Sequence, residues 1–252
     1  MLALITATKN SIATVRDALT SAAPFREKIK HILIDANSSD GTREYLELFA
    51  GNRDNCVLIA QQGTGLYHAL NQGVDAAMDD PEVTHIGFLH SDDRLLQHQF
   101  GAYLTQINQS GSDFFYSDIE YHDKHDRCVR VWETGMFSKL KLNTGWMPAH
   151  TSVIVTKRIY QNFGSYNPAF GTAADYEWIV RILSSDSTNA QYFPKRTLSM
   201  LVGGASGSTV GARLRANAMD GKTWATRSWL QAWCIRVLKP LRKVLQFRAL
   251  RR

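Results

Sequence analysis

The 252-residue chain is 44% apolar and 10% aromatic, a globular composition that excludes a disordered or fibrous protein and suits one large α/β domain with an appendage. Its net charge of +6 is uneven: eleven Lys or Arg fall between Arg213 and Arg252 against the single acid Asp220, so the rest is mildly acidic and the basicity belongs to the appendage. Cys56, Cys128 and Cys234 are scattered and odd in number, which excludes a zinc-type spacing and a disulfide framework. The opening Met1-Leu2-Ala3-Leu4-Ile5-Thr6 lacks a basic leader and runs into Lys9 and Asn10, so a cytosolic location is expected.

In chain order, Leu2 to Thr6, Ile32 to Asp35, Val57 to Ala60 and Thr84 to Leu89 read as short buried strands, separated by segments with helical apolar spacing. Such βαβ alternation predicts a mostly parallel Rossmann-like sheet flanked by helices, with ligands at the carboxyl ends of the strands. Ser39 and Asp40 are helix-capping residues before Arg43, Tyr45, Leu46 and Phe49. Gly63-Thr64-Gly65 reads as a tight loop opening a helix through Ala69, Leu70, Gly73 and Ala77; it either offers backbone N–H groups to a phosphate or simply uses glycine's freedom. A helix is predicted from Leu95 to Asn108, then strands at Phe114 to Tyr116 and Val129 to Trp132 around the turn Asp123-Lys124-His125-Asp126. The broken alternation implies an antiparallel element beside the nucleotide half. Ser152 to Val155 adds a strand, and Ala173 to Leu183 a helix with Asp175 near its start.

The chemistry gathers at strand ends. Asp92 and Asp93 follow Ile86-Gly87-Phe88-Leu89, and paired carboxylates suit a hard cation, Mg²⁺ or Mn²⁺, which completes its shell with substrate phosphates and water. A solvated Asp-Asp turn is the plain alternative; a nucleotide-sugar is the substrate class that fits the metal reading.

Several motifs, in this order, resemble the inverting GT-A glycosyltransferases of family 2, especially bacterial enzymes that build surface polysaccharides, over about residues 2 to 203. They are Ile5-Thr6-Ala7-Thr8-Lys9-Asn10, the stretch from Ile34 through Asp35, Ser38 and Asp40 to Thr42, Gly65-Leu66-Tyr67-His68-Ala69-Leu70-Asn71-Gln72-Gly73, and Ser91-Asp92-Asp93. Pro148-Ala149-His150-Thr151-Ser152 and the run from Phe170 through Asp175 to Trp178 extend the likeness. The resemblance implies a GT-A domain over 1–210, with a nucleotide-binding part to about 110 and an acceptor part from 111. It implies nucleotide contacts at Thr6, Thr8, Asn10, Asp35, Ser38, Asp40 and Asp92, with UDP-sugars favoured, and metal ligation by Asp93, Asp92 and His150, the histidine lying near the donor diphosphate. It also implies Asp175 as the catalytic base, preferred to Glu177 because residues two apart on a helix point in different directions. Ala36 stands where many relatives carry glycine or a second acid, which weakens the nucleobase assignment of Asp35. His68, where relatives often carry Asp, is a helix-surface residue or an acceptor contact, and His90 reads as structural. Tyr67, His68, Trp132, Trp146 and Trp178 are sugar contacts or core packing.

At 211–252 a basic helical tail is expected: Trp229, Leu230, Trp233 and Val237 share a helical spacing among Arg227, Arg236, Lys239, Arg242 and Lys243, with Pro240 as a break. Residues 224–252 would then meet an anionic membrane surface at the inner face of the cytoplasmic membrane, or pack on the body as an ordinary helix. The acceptor would be a saccharide or a polyprenyl-diphosphate-linked saccharide, and no nucleic acid is expected. The rival functions are a sugar-phosphate nucleotidyltransferase, whose glycine-rich N-terminal phosphate loop is missing from Thr6-Ala7-Thr8-Lys9-Asn10, and a noncatalytic carbohydrate-binding protein of the same fold.

Overall fold

A computed structural model describes residues 1–203; the tail expected at 211–252 lies outside the described residues. The first half alternates as expected: β1 (Leu2–Thr8), α1 (Ile12–Ala22), β2 (Ile29–Asp35), α2 (Thr42–Gly51), β3 (Cys56–Ala60), α3 (Leu66–Asp79) and β4 (His85–Phe88). The four strands are parallel in the order β3-β2-β1-β4, with β1 at the point where the order reverses. β1 is buried on both faces, Ala3 and Ile5 entering one core cluster and Leu2 and Leu4 another, as the two-residue period of a strand requires.

The second half supplies β5 (Arg94–Leu95), α4 (Gln97–Gln109), β6 (Phe114–His122), β7 (Cys128–Trp132), α5 (Lys139–Asn143), β8 (Ile154–Thr156), α6 (Lys157–Phe163), α7 (Ala174–Leu183) and β9 (Ala190–Leu201). These strands extend the same sheet as β4-β8-β6-β9-β5, with β7 on β6. β8 is antiparallel to both β4 and β6, and β7 to β6, the change of direction expected from the broken alternation.

Several bounds shift from the sequence expectation, and three of the differences have a structural reason. The helix expected at Leu95 starts at Gln97, because Leu95 pairs with Leu198 of β9. The strand expected from Ser152 starts at Ile154, because His150–Ser152 forms a 3-10 turn. The twelve-residue β9 was not expected at all: Pro194 lacks a ladder donor, and the register with β6 slips between Ser117↔Phe193 and Ile119↔Leu198 around it.

α3 lies close against β1 because Gly73 has no side chain. A Cβ at that position would clash with Ile5 Cγ2, so the Ile5 side chain, the strand or the helix would have to shift. Gly73→Ala is therefore expected to lower unfolding stability by about 1–3 kcal/mol in urea titrations, despite alanine's better helix propensity.

Candidate active site

Three loops meet where β1, β2 and β4 end. Asp35, the last residue of β2 and 1% exposed, accepts from Thr8 Oγ1 at 3.1 Å, Ser38 Oγ at 2.6 Å and Ser38 N at 3.0 Å. Arg43 Nη1 stands 4.0 Å from its other side. These bonds satisfy the buried carboxylate and make Asp35 the clamp between the first two loops. Asn10 N donates to Ser38 Oγ at 2.9 Å, and Ser39 N donates to Asn10 Oδ1 at 2.9 Å. Asn10 and Asn37 take positive φ of 51° and 56°, a conformation asparagine tolerates better than most residues.

Asp40 accepts from Thr42 Oγ1 at 2.6 Å, Thr42 N at 3.0 Å and Ile12 N at 3.1 Å, so it joins the starts of α1 and α2. The Thr42 hydroxyl is the main cause that holds its carboxyl below the usual range. Gly41, with φ of 93°, occupies the cap position that Ser39 or Asp40 was expected to fill. Thr6 corrects an expectation of ligand contact: it is 0% exposed, one pleat below Thr8, and its hydroxyl is buried without a partner. The exposed edge of this region belongs to Lys9, Asn10 and Ser39.

The β4 loop carries the paired acids. Asp92 is half-buried, while Asp93 is 1% exposed and its Oδ2 has no hydrogen-bond partner. Burial raises both carboxyls above the ordinary range; for Asp93 the neighbouring Asp92 adds to the rise and the Leu201 backbone N–H opposes it. An orphaned, desolvated carboxylate oxygen beside a second acid fits a hard divalent cation, with Asp93 and Asp92 as the protein's share of its ligands. Among the described residues no group of three or more His, Cys, Asp or Glu assembles as a metal site, so the rest of the shell would come from substrate and water. Ser91 Oγ donates to Ser11 Oγ at 3.0 Å, tying this loop to the cap of α1.

On the other side of the β4 loop, His90 Nε2 lies 3.0 Å from His150 Nε2, and His150 Nδ1 lies 3.1 Å from Asp175 Oδ2. Burial, reinforced by His150, lowers the His90 pKa to about 3. Asp175 sits in the first turn of α7, where its Oδ1 accepts from Tyr176 N at 2.8 Å. Glu177 is held instead by Arg181, through Nε at 2.9 Å and Nη2 at 3.0 Å, and that guanidinium also reaches the carbonyls of Phe163 and Ser165. The bidentate pair leaves Asp175 as the acid whose second lone pairs are open.

Of the candidate sugar contacts, Trp146 and Trp178 belong to the core. They are 6% and 1% exposed, and their indole N–H groups donate to the carbonyls of Thr134 at 2.8 Å and Gly164 at 2.9 Å. Trp132 is half-buried with the Arg130 guanidinium over its ring, Tyr67 packs its ring 5.4 Å from that of Tyr166, and His68 is exposed. Sequence reasoning had not given His90 a part in the site. The signal available was its position immediately before Ser91-Asp92-Asp93, at a strand's carboxyl end.

The model of glycosyl transferase family 2 matches residues 3–158, from β1 through both paired acids to the start of α6. The chain belongs to glycosyltransferase family 2. It is 26% identical over 162 residues to a PGL/p-HBAD biosynthesis glycosyltransferase of Mycobacterium bovis, the match covering 64% of this chain and 60% of that protein. The chain thus spans about three fifths of the length of that relative. Among solved structures, Staphylococcus aureus TarS 1-349 in complex with UDP-GlcNAc superposes with a TM-score of 0.67 at 13% identity, over 93% of this chain and 70% of TarS. The mannosyltransferase PcManGT from Pyrobaculum calidifontis, in complex with GDP-Man and Mn²⁺, gives 0.65 at 12% identity, over 95% and 71%. At these identities the likeness establishes the shared GT-A fold.

The environment of Asp93 yields a stability test. A carboxyl whose folded pKa is raised binds its proton more tightly folded than unfolded, so stability is lost as pH rises from the ordinary carboxylate range through the raised value. Asp93→Asn is expected to raise the stability of the metal-free protein at neutral pH by about 0.5–2 kcal/mol, and to flatten its pH dependence above the ordinary carboxylate range, in thermal melts taken in chelator.

Proposed function

We propose that this protein transfers a sugar from a nucleotide-sugar donor, UDP-sugars favoured, to an acceptor hydroxyl with inversion at the anomeric carbon, with Mg²⁺ or Mn²⁺ bound at Asp93 and Asp92. The observation that carries the reading is the hydrogen-bonded line from Asp175 through His150 to His90, which brings an open carboxylate to the loop of the paired acids. Thr8, Asn10, Asp35 and Ser38 form the floor and rim on which the nucleoside would lie, with Asp35 acting as the clamp behind them.

Asp175 accepts the acceptor's proton as the hydroxyl oxygen bonds to the anomeric carbon and the bond to the donor diphosphate breaks, releasing nucleoside diphosphate. Its Oδ1 and Oδ2 are already oriented by Tyr176 N–H and His150, which leaves the remaining lone pairs as the proton's destination. A cation at Asp93 and Asp92 would supply Lewis-acid stabilisation of the leaving diphosphate. A saccharide or polyprenyl-diphosphate-linked saccharide is the proposed acceptor. The protein would work peripherally on the cytoplasmic face of the membrane, a placement supported by the aromatic and basic pattern at 224–252. Among the described residues no helix is long and apolar enough to cross a membrane.

Metal-dependent release of nucleoside diphosphate from a panel of UDP-, GDP- and dTDP-sugars, with and without saccharide acceptors, tests the chemistry. Release from one donor is expected, falling at least 100-fold in both Asp93→Ala and Asp175→Asn. Full activity in Asp175→Asn would remove the base assignment. Vesicle sedimentation tests the tail: reversing the charges of Arg236, Lys239, Arg242 and Lys243 should weaken binding to phosphatidylglycerol-containing vesicles at least tenfold, since each basic residue contributes about 1 kcal/mol near an anionic surface. Equal binding by native and reversed proteins would reject the membrane role.

A further inference from the structure

His150 has two ring nitrogens, and both are engaged. Nδ1 faces Asp175 Oδ2 at 3.1 Å and Nε2 faces His90 Nε2 at 3.0 Å. An ionised carboxylate only accepts, so the hydrogen in the first contact belongs to His150 Nδ1. A neutral imidazole carries one N–H, which leaves His150 Nε2 with a lone pair and assigns the hydrogen of the second contact to His90 Nε2. With a neutral His150 and Asp175 acting as base, the chain runs one way: His90 donates to His150, and His150 donates to Asp175.

We propose that His90 is a positioning residue whose Nε2–H locks His150 in the tautomer and ring orientation that present Nδ1–H to Asp175, so that His150 orients the base instead of ligating the cation. The inference rests on the reading of Asp175 as base and deepens it. It also revises the metal role that the family resemblance gave to His150, because the lone pair a cation would need is filled by His90. The backbone adds a second link. His90 O accepts from Asp93 N at 3.1 Å, so the turn that sets Asp93 also sets the start of the hydrogen-bond line to Asp175. Donor site and base are thus adjusted by one short segment, His90-Ser91-Asp92-Asp93. Sub-ångström placement of a base matters strongly to rate, which gives this coupling kinetic weight.

The test combines a spectrum and a variant series on the full chain. In protein labelled with ¹⁵N-histidine and kept metal-free at pH 8, long-range ¹H–¹⁵N correlations should give a protonated Nδ1 and an unprotonated, pyridine-type Nε2 for His150, and a protonated Nε2 for His90. Signals are assigned with His150→Asn and His90→Gln. His90→Phe removes the donor, and kcat should fall about 10- to 100-fold with the donor KM and the Mn²⁺ affinity changed less than twofold. His90→Gln, whose amide N–H can still donate, should recover most of that loss. A His150 protonated at Nε2, a tenfold loss of Mn²⁺ affinity in His90→Phe, or equal kcat losses in the Phe and Gln variants would each overturn the proposal. The spectrum does not depend on turnover, so if Asp175→Asn proved fully active the base assignment would fall while the direction of the hydrogen-bond chain was still read. Should His90→Phe not fold, the spectrum and His90→Gln decide the matter: low kcat in His90→Gln with an intact fold would count against the proposal.

Discussion

The parallel pairing of β1 on both of its edges is the constraint on which the site depends. On one edge Thr8 is in register with Asp35, and on the other Ile5 is in register with Phe88. Strands running the same way finish at the same end of the sheet, so the loops after Thr8, Asp35 and Phe88 are delivered to one edge. The pairing is enforced by burial. Ala3 and Ile5 pack towards α3 while Leu2 and Leu4 face the opposite core, and a slip of one residue would exchange those two faces. Gly73 tightens the arrangement by letting α3 approach Ile5 closely.

Four of the aspartates at this edge, Asp35, Asp40, Asp93 and Asp175, differ through their partners, not their chemistry. Asp35 is saturated by hydroxyl and backbone donors and acts as a clamp; Asp40 is spent on the starts of two helices. Asp93 is buried with an oxygen left over, which is unfavourable for the isolated chain and useful for a cation. Asp175 lies between these extremes, with each oxygen engaged once and part of its side chain open. Asp35 and Asp93 are equally buried, and only Asp93 keeps an oxygen without a partner.

Much of this was legible in the chain itself. Short apolar runs alternating with helical spacing gave the parallel half, and polar residues just after those runs marked the loops that meet at one end of the sheet. The basic segment after Arg213 announced itself by charge, although it lies outside the described residues. β9 was hidden because Pro194 breaks the strand pattern and its partner β6 lies far away in sequence, so the bulge that accommodates the proline exists only in the paired sheet. Trp146 and Trp178 stood between sugar contact and core packing in the sequence because composition does not distinguish a buried indole from an exposed one; their carbonyl partners at Thr134 and Gly164 do.

The sequence by itself determined the family, the α/β alternation and the residue types available for chemistry, because periodicity and strand-end motifs are local properties of the chain. Tertiary structure decided what each of those residues does. Thr6 and Thr8 are two positions apart, yet one is sealed in the core and the other bonds Asp35. His90, His150 and Asp175 are separated by long stretches of chain and meet only because β4, the turn after α5 and the start of α7 converge at one end of the sheet. Hydrogen-bond direction and desolvation are properties of such contacts between distant residues, and no local pattern carries them.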